Sequence, residues 1–311
     1  MSIQTRFSVD PETIQHAPYR QAVQGRILHE MRRFAVIANH ATPTNRLLGE
    51  VMTPAQAVTY LRPGDLALGR IDVHPSLQGV ETGLWALDLL ERRGVTVLNR
   101  SRTLLQAHDK LATAGALVAA ELPHPQTEHV GRHRPKPLLA TPLVLKPRFG
   151  SWGRDVMLCG NRAELAAAIA AARCRVWFNT SGGIAQTLVP PCGFDLRIVV
   201  AGGCVIGATM RVAADGEWRT NVARGARRVP TTPPVAACEL ALAGAAAVRG
   251  DLVGVDLLPT PDGWTILEIN GAVDFTAAYS LDRDIFSAAR AALLEGPARP
   301  EIGTPVAAAS R

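Results

Sequence analysis

Two short apolar runs with a helix between them constrain this chain more than any other feature. Asp65–Leu68 and Val95–Leu98 are of the buried-strand type, and Glu81 to Arg93 carries Leu84, Leu87 and Leu90 at helical spacing. That helix closes on Arg92, Arg93 and Gly94, a basic last turn followed by a glycine stop. Strand, helix and strand in this order predict a parallel pairing, because a helical crossover returns the chain in the same direction. Phe34–Ala38 is a third run of the same type. The expected class is therefore α/β.

Downstream the pattern changes. Ser101 to Ala120 reads as one or two helices, and Leu122 to Pro137 as a loop rich in proline and histidine. Strands are expected over Leu143–Pro147 and Val156–Cys159, on either side of the glycine-bearing loop Phe149–Gly153. Asn161 with Glu164 three residues later opens an alanine-rich helix in the manner of a capping box. Ile184–Val189 reads as a strand, and Leu196–Val200 with Cys204–Met210 as a hairpin about Ala201–Gly203. A second alanine-rich helix is expected from Pro234 to Val248. Strands Gly254–Leu258 and Trp264–Ile269 flank a turn at Pro259–Gly263, and Tyr279–Leu294 reads as a helix. Residues 1–30 lack a clear period and read as an extension; 296–311 read as a loose tail.

Composition narrows the classes of function. With 311 residues and 47% hydrophobic content there is ample material for a core, and no apolar run is long enough to span a membrane. The first thirty residues hold no apolar segment of the secretory kind. Cys159, Cys174, Cys192, Cys204 and Cys238 are scattered, which fits reduced thiols in a cytoplasmic protein better than a disulfide framework or a zinc site. The net charge of +6 is spread along the chain with few aromatics beside it, which argues against nucleic acid and suits small anions. Of 33 basic residues only Lys110, Lys136 and Lys146 are lysine. Where arginine serves every general need for positive charge, a retained lysine marks a place for a compact ammonium.

Three clusters carry chemistry. Glu268 and Asn270 lie two apart on one strand and share a face, with Asp256 able to stand opposite on the preceding strand. Three oxygen donors there suit Mg²⁺, although the same pattern alone also describes a solvated sheet face. Lys146 sits inside an apolar strand and must find an anion or water. Gly150, Ser151, Trp152 and Gly153 then form a loop whose amides can approach phosphates, though a plain hairpin turn has the same composition. His124, His129 and His133 have no cysteine or acidic partner and are assigned to a solvated loop, while Cys159 and Cys204 read as small core residues.

In order and spacing these motifs resemble the ATP-grasp carboxylate–amine ligases, most of all the RimK-like and LysX-like group that includes alpha-L-glutamate ligases. The matching residues are Asn99; Asp109–Leu111; Leu122–Thr127; Leu145–Pro147 with Gly150–Val156; Ala185–Val189; Phe194–Arg197; Arg211; Trp218–Asn221; Gly254–Asp256; and Leu267–Asn270. The resemblance implies an ATP-grasp fold of two α+β subdomains (106–185 and 186–295), preceded by a Rossmann-like parallel-sheet domain over 31–105. It implies that Lys110 and Lys146 contact the nucleotide, and that Gly150, Ser151, Trp152 and Gly153 cover the phosphates. Gln186, Thr187, Leu188 and Val189 would hold adenine, and Asp195 the ribose. Arg219 and Asn221 would approach the γ-phosphate, with Arg211 beside them in catalysis, and Asp256, Glu268 and Asn270 would bind Mg²⁺, two ions with Mn²⁺ as a substitute.

The implied reaction has two steps: a carboxylate takes the γ-phosphoryl group of ATP, and an amine then displaces phosphate from the acyl carbon. Some of Arg197, Arg211, Arg224, Arg227 and Arg228 could hold a substrate carboxylate. Where the family often has Pro-Gly after the metal asparagine, this chain has Gly271–Phe275, so glutamate specificity does not transfer directly. The carboxylate and amine partners, a free, peptide or carrier acceptor, and any homo-oligomer stay open. The rival reading is a catalytically silent ATP-binding scaffold.

Overall fold

The computed structural model describes residues 33–73 and 83–295. The expected extension over 1–30 and the tail over 296–311 lie outside those residues. The first sheet consists of β1 (Phe34–Ile37), β2 (Glu50–Met52), β3 (Leu66–Gly69) and β4 (Thr96–Leu98), in the order β2-β1-β3-β4 and parallel throughout. Its crossovers are α1 (Pro43–Leu48), α2 (Pro54–Tyr60) and α3 (Leu84–Arg92). The parallel strand–helix–strand unit is as the sequence requires. The two short helices and β2 were not expected. Both helices start on a threonine cap followed by proline, and Thr53 with Gln56 completes a capping box.

The helical stretch after β4 is two helices, α4 (Ser101–His108) and α5 (Lys110–Ala119), broken at Asp109. The side chain of Asp109 accepts from the amides of Leu111 and Ala112 and so caps α5. The proline- and histidine-rich segment is not all loop: β5 (Thr127–Val130) lies within it. With β6 (Leu143–Pro147), β7 (Met157–Cys159) and β8 (Gly183–Thr187) it forms an antiparallel sheet in the order β5-β8-β6-β7. Between β7 and β8 come α6 (Arg162–Arg173), capped by Asn161, and α7 (Val176–Asn179).

The third sheet holds β9 (Phe194–Ala201), β10 (Cys204–Val212), β11 (Arg227–Pro230), β12 (Leu252–Thr260) and β13 (Gly263–Asn270), ordered β11-β10-β9-β12-β13 and antiparallel. One face packs on α8 (Val235–Ala247): Leu196, Ile198, Val200, Val255, Leu257, Ile266 and Ile269 meet Ala237, Ala241 and Ala245. Gly244 belongs to this contact, since a Cβ there would stand 2.8 Å from the Ile266 side chain. On the opposite face Val199, Ala201 and Leu252 pack with α9 (Ile285–Glu295) and with Val36, Leu66 and Leu68 of the first sheet. Farther along that face stand Asp195, Arg197, Arg211, Asp256 and Glu268.

Asn99 ties the first sheet to the third. It is fully buried at φ +46°, accepts from the amides of Asp251 (2.8 Å) and Leu252 (3.1 Å), and donates to the carbonyls of Leu252 (2.7 Å) and Gly271 (3.2 Å). Asn99→Ala orphans those backbone groups together and is expected to cost roughly 3–5 kcal/mol. Urea unfolding of the variant, read as a lowered midpoint with unchanged slope, checks this.

Candidate active site

The charged half of the third sheet follows from strand register. Asp195 on β9 stands opposite Arg211 on β10, and Arg197 on β9 stands opposite Asp256 on β12. Asp256 in turn faces Glu268 on β13, and Gly254 faces Asn270. Arg211 forks onto Asp195 and reaches Asp256 at 2.9 Å; Arg197 binds both oxygens of Asp256 at 2.6 Å each. Burial opposes the charge on Asp256, but Arg197 and Arg211 outweigh it and hold its pKa below the ordinary carboxylate range. A bulge between Asp256 and Leu257 lets Ile266 and Ile269 both face α8 while Glu268 and Asn270 share the other side.

The second sheet brings the lysines to the same place. Lys146 on β6 is buried and donates to Gln186 Oε1 on β8 at 2.8 Å. Burial drives its pKa down to about 8, with Glu268 and Asp256 raising it and Lys110 lowering it. Lys110, at the first turn of α5, donates to the Gly150 carbonyl at 2.6 Å and pairs with Glu268 at 3.3 Å. Two of the three lysines, the glycine loop and the β12–β13 pair therefore meet, whereas Lys136 is exposed in its loop.

The glycine loop and the segment after β10 close on each other. Gly153 and Trp152 both have left-handed backbone, at φ +66° and +63°. A Cβ on Gly153 would lie 2.4 Å from Asn221 Oδ1. Arg219 donates to the carbonyls of Gly153 and Val156 at 3.3 Å, and Arg224 to that of Gly153 at 3.2 Å. Arg219 is also held at 2.9 and 2.8 Å by Glu217, whose pKa the pair lowers to about 2. Ser151 and Trp152 are exposed on the loop.

Asp195, the residue expected at the ribose, is fully buried, and its oxygens are bound by Arg211 and Thr220. The amides of Thr187 and Leu188 bond the carbonyls of Gln126 (2.9 Å) and Pro142 (3.3 Å). Sequence reasoning also missed Glu217, Thr220 and the place of His124, which is half-buried against Gln186 rather than solvated. The Asp195–Arg211 pairing was available from the hairpin turn, once one bulged residue is allowed.

Among the described residues no three His, Cys, Asp or Glu side chains cluster as a metal site. The donors are two carboxylates and an amide. Asp256 Oδ1 accepts one bond, from Arg197, and Glu268 is a quarter exposed with Lys110 as its ion-pair partner. Hard oxygens on facing strand positions fit Mg²⁺ in chemistry. No helix among the described residues is long and apolar enough to cross a membrane.

Residues 106–289 match the RimK-like ATP-grasp domain, well over half of the chain. The chain belongs to that family. Its class is that of an ATP-dependent carboxylate–amine ligase. It is similar to a probable alpha-L-glutamate ligase of Haemophilus ducreyi, 26% identical over 233 residues, which are 71% of this chain and 72% of the relative. It is 29% identical over 223 residues to N-acetylaspartylglutamate synthase A of Homo sapiens, 68% of this chain and 55% of that protein. The match thus spans about half to three quarters of these relatives. A solved RimK-domain ATP-grasp protein from Sphaerobacter thermophilus DSM 20745 shares the fold, with TM-score 0.58 and 21% identity over 84% of this chain and 97% of that one.

The lowered pKa of Lys146 makes a prediction for this RimK-like protein. Its folded value of about 8 lies below the ordinary 10.5, so the cost of burying the ammonium is complete below pH 8 and is relieved as pH rises to 10.5. Across that window the parent should gain roughly 3 kcal/mol relative to Lys146→Met. Paired unfolding curves at pH 7.5 and 10 check the sign; a constant difference between the two proteins refutes it.

Proposed function

We propose that the protein activates a substrate carboxylate with ATP and joins it to an amine through an acyl phosphate. The reading is carried by one juxtaposition: Lys110, Lys146, Glu268 and the glycine loop meet between two sheets, with Asp256 and Asn270 in register beside them. Two ammonium groups and the Arg219 guanidinium suit a polyphosphate, and the facing oxygens suit the Mg²⁺ that accompanies it. That ion, taken as two with Mn²⁺ as a substitute, would neutralise charge on the phosphates. The catalytic work falls to Lys110, Lys146, Arg219 and Asn221 at the phosphates, with Arg211 held behind them by Asp195.

In the first step the carboxylate oxygen attacks the γ-phosphorus and the bond to the β-phosphate oxygen breaks, giving acyl phosphate and ADP. In the second the amine attacks the acyl carbon, phosphate departs, and the amine loses a proton. No covalent enzyme nucleophile is required; positioning and charge stabilisation suffice. An amino acid such as glutamate is the proposed substrate class, in keeping with the relatives named for it. The exposed Arg224, Arg227 and Arg228 are the cations left to receive its carboxylates. The ligase and synthase names of the relatives favour catalysis over a silent ATP-binding scaffold.

Incubation with ATP, Mg²⁺, hydroxylamine and a panel of carboxylates should yield ADP, phosphate and a hydroxamate. AMP and pyrophosphate as products would overturn the mechanism. In the same assay Glu268→Gln should keep its melting temperature and lose about a hundredfold or more in turnover. Full turnover by that variant removes Glu268 from the site.

A further inference from the structure

His124 lies in the Leu122–Thr127 segment, to which no site role was given, yet it ends a hydrogen-bond chain that leads into the proposed site. Its Nδ1 lies 2.7 Å from the Ile266 carbonyl on β13. Its Nε2 lies 3.3 Å from Gln186 Nε2, and Gln186 Oε1 receives the ammonium of Lys146 at 2.8 Å. Thr127 Oγ1 joins the chain, accepting from Gln186 Nε2 at 2.9 Å and donating to the Pro125 carbonyl at 2.9 Å.

The two ends fix the imidazole tautomer and the amide orientation between them, while the Thr127 hydroxyl, 3.3 Å from His124 Nε2, has that nitrogen and the Pro125 carbonyl as alternative acceptors. A carbonyl only accepts, so His124 Nδ1 carries the hydrogen and Nε2 is left as a bare acceptor. An ammonium only donates, so Gln186 must turn Oε1 toward Lys146 and its NH₂ toward His124 and Thr127. The NH₂ group has two hydrogens, and the histidine and the threonine supply one acceptor each. Without His124 one of those donors is orphaned in a site where Gln186 is only 3% exposed. The amide that receives the Lys146 ammonium is then held at one hydrogen fewer and is free to swing about its remaining bonds to Thr127 and Lys146.

Resting on the nucleotide reading above, we propose that His124 is a positioning residue: it locks the Gln186 amide, and through it the Lys146 ammonium, in the orientation that receives the phosphates of ATP. It also ties that lysine to β13, the strand that carries Glu268 and Asn270. The nucleotide and metal sides of the cleft are thereby held in one register.

The test is ATP binding by calorimetry at fixed Mg²⁺ for the parent, His124→Phe, Gln186→Leu, the double variant and Lys146→Met. His124→Phe keeps the ring volume and should weaken ATP about tenfold, with Gln186→Leu similar and the double variant no weaker than either. Turnover at saturating ATP, measured with whichever carboxylate gives a hydroxamate, should stay within threefold for His124→Phe. His124→Gln, which can return an acceptor to Gln186, should recover part of the affinity, and it decides the matter if His124→Phe melts early. Parent-like ATP affinity in His124→Phe, or additive losses in the double variant, overturns the proposal while Lys146→Met still loses ATP. If Lys146→Met binds ATP as the parent does, the nucleotide reading itself fails and takes this inference with it.

Discussion

On the third sheet the buried carboxylates leave water in the company of cations, and that pairing organises the site. Asp195 and Asp256 sit on the inner strands of the third sheet, where an unpaired charge would cost several kcal/mol. Arg197 and Arg211 meet them as planar forks, each bonding two oxygens of one partner. The result is an alternating lattice fixed by strand register, and Glu268 at its margin keeps a lysine as its partner. The composition follows the same division. Arginine serves the fixed pairs, while the ammonium groups of Lys110 and Lys146 line the cleft itself.

That lattice can exist because the other face of the sheet's inner strands is apolar. Leu196, Ile198 and Val200 alternate with Asp195, Arg197 and Val199, so each strand contributes to both environments. On β13 a strict alternation would have put Ile266 on the side of Glu268. The bulge at Asp256/Leu257 corrects this and keeps both isoleucines against α8. The close approach at Gly244 completes the fit.

Much of this was legible in the sequence, where patterns were long or chemistry was explicit. The parallel unit about α3, the hairpin of β9 and β10, and the shared face of Glu268 and Asn270 follow from period and turn residues, whereas the opposition of Asp256 to Glu268 also needs the bulge. The short α1 and α2 escaped because six or seven residues cannot display a helical period, although Thr42–Pro43 and Thr53–Pro54 carried their caps. β5 escaped because histidine and proline around it read as solvated loop, and with it went the burial of His124. The burial of Asp195 against Arg211 and Thr220 escaped for a different reason. A motif names a residue type at a position, whereas only cross-strand register tells which partner already occupies it.

The contact between the glycine loop and the segment after β10 is chemically lopsided. Arg219, Arg224 and Asn221 contribute side chains, but the loop answers only with the carbonyls of Gly153 and Val156 and with the absence of a Cβ. Every residue type owns a carbonyl, so Ser151 and Arg154 can change without loosening the clasp. Arg219, Arg224 and the glycine at 153 cannot. Over evolutionary time one jaw of the grasp is free to change its chemistry, and with it the surface met by incoming substrates, while the other is bound to a fixed vocabulary.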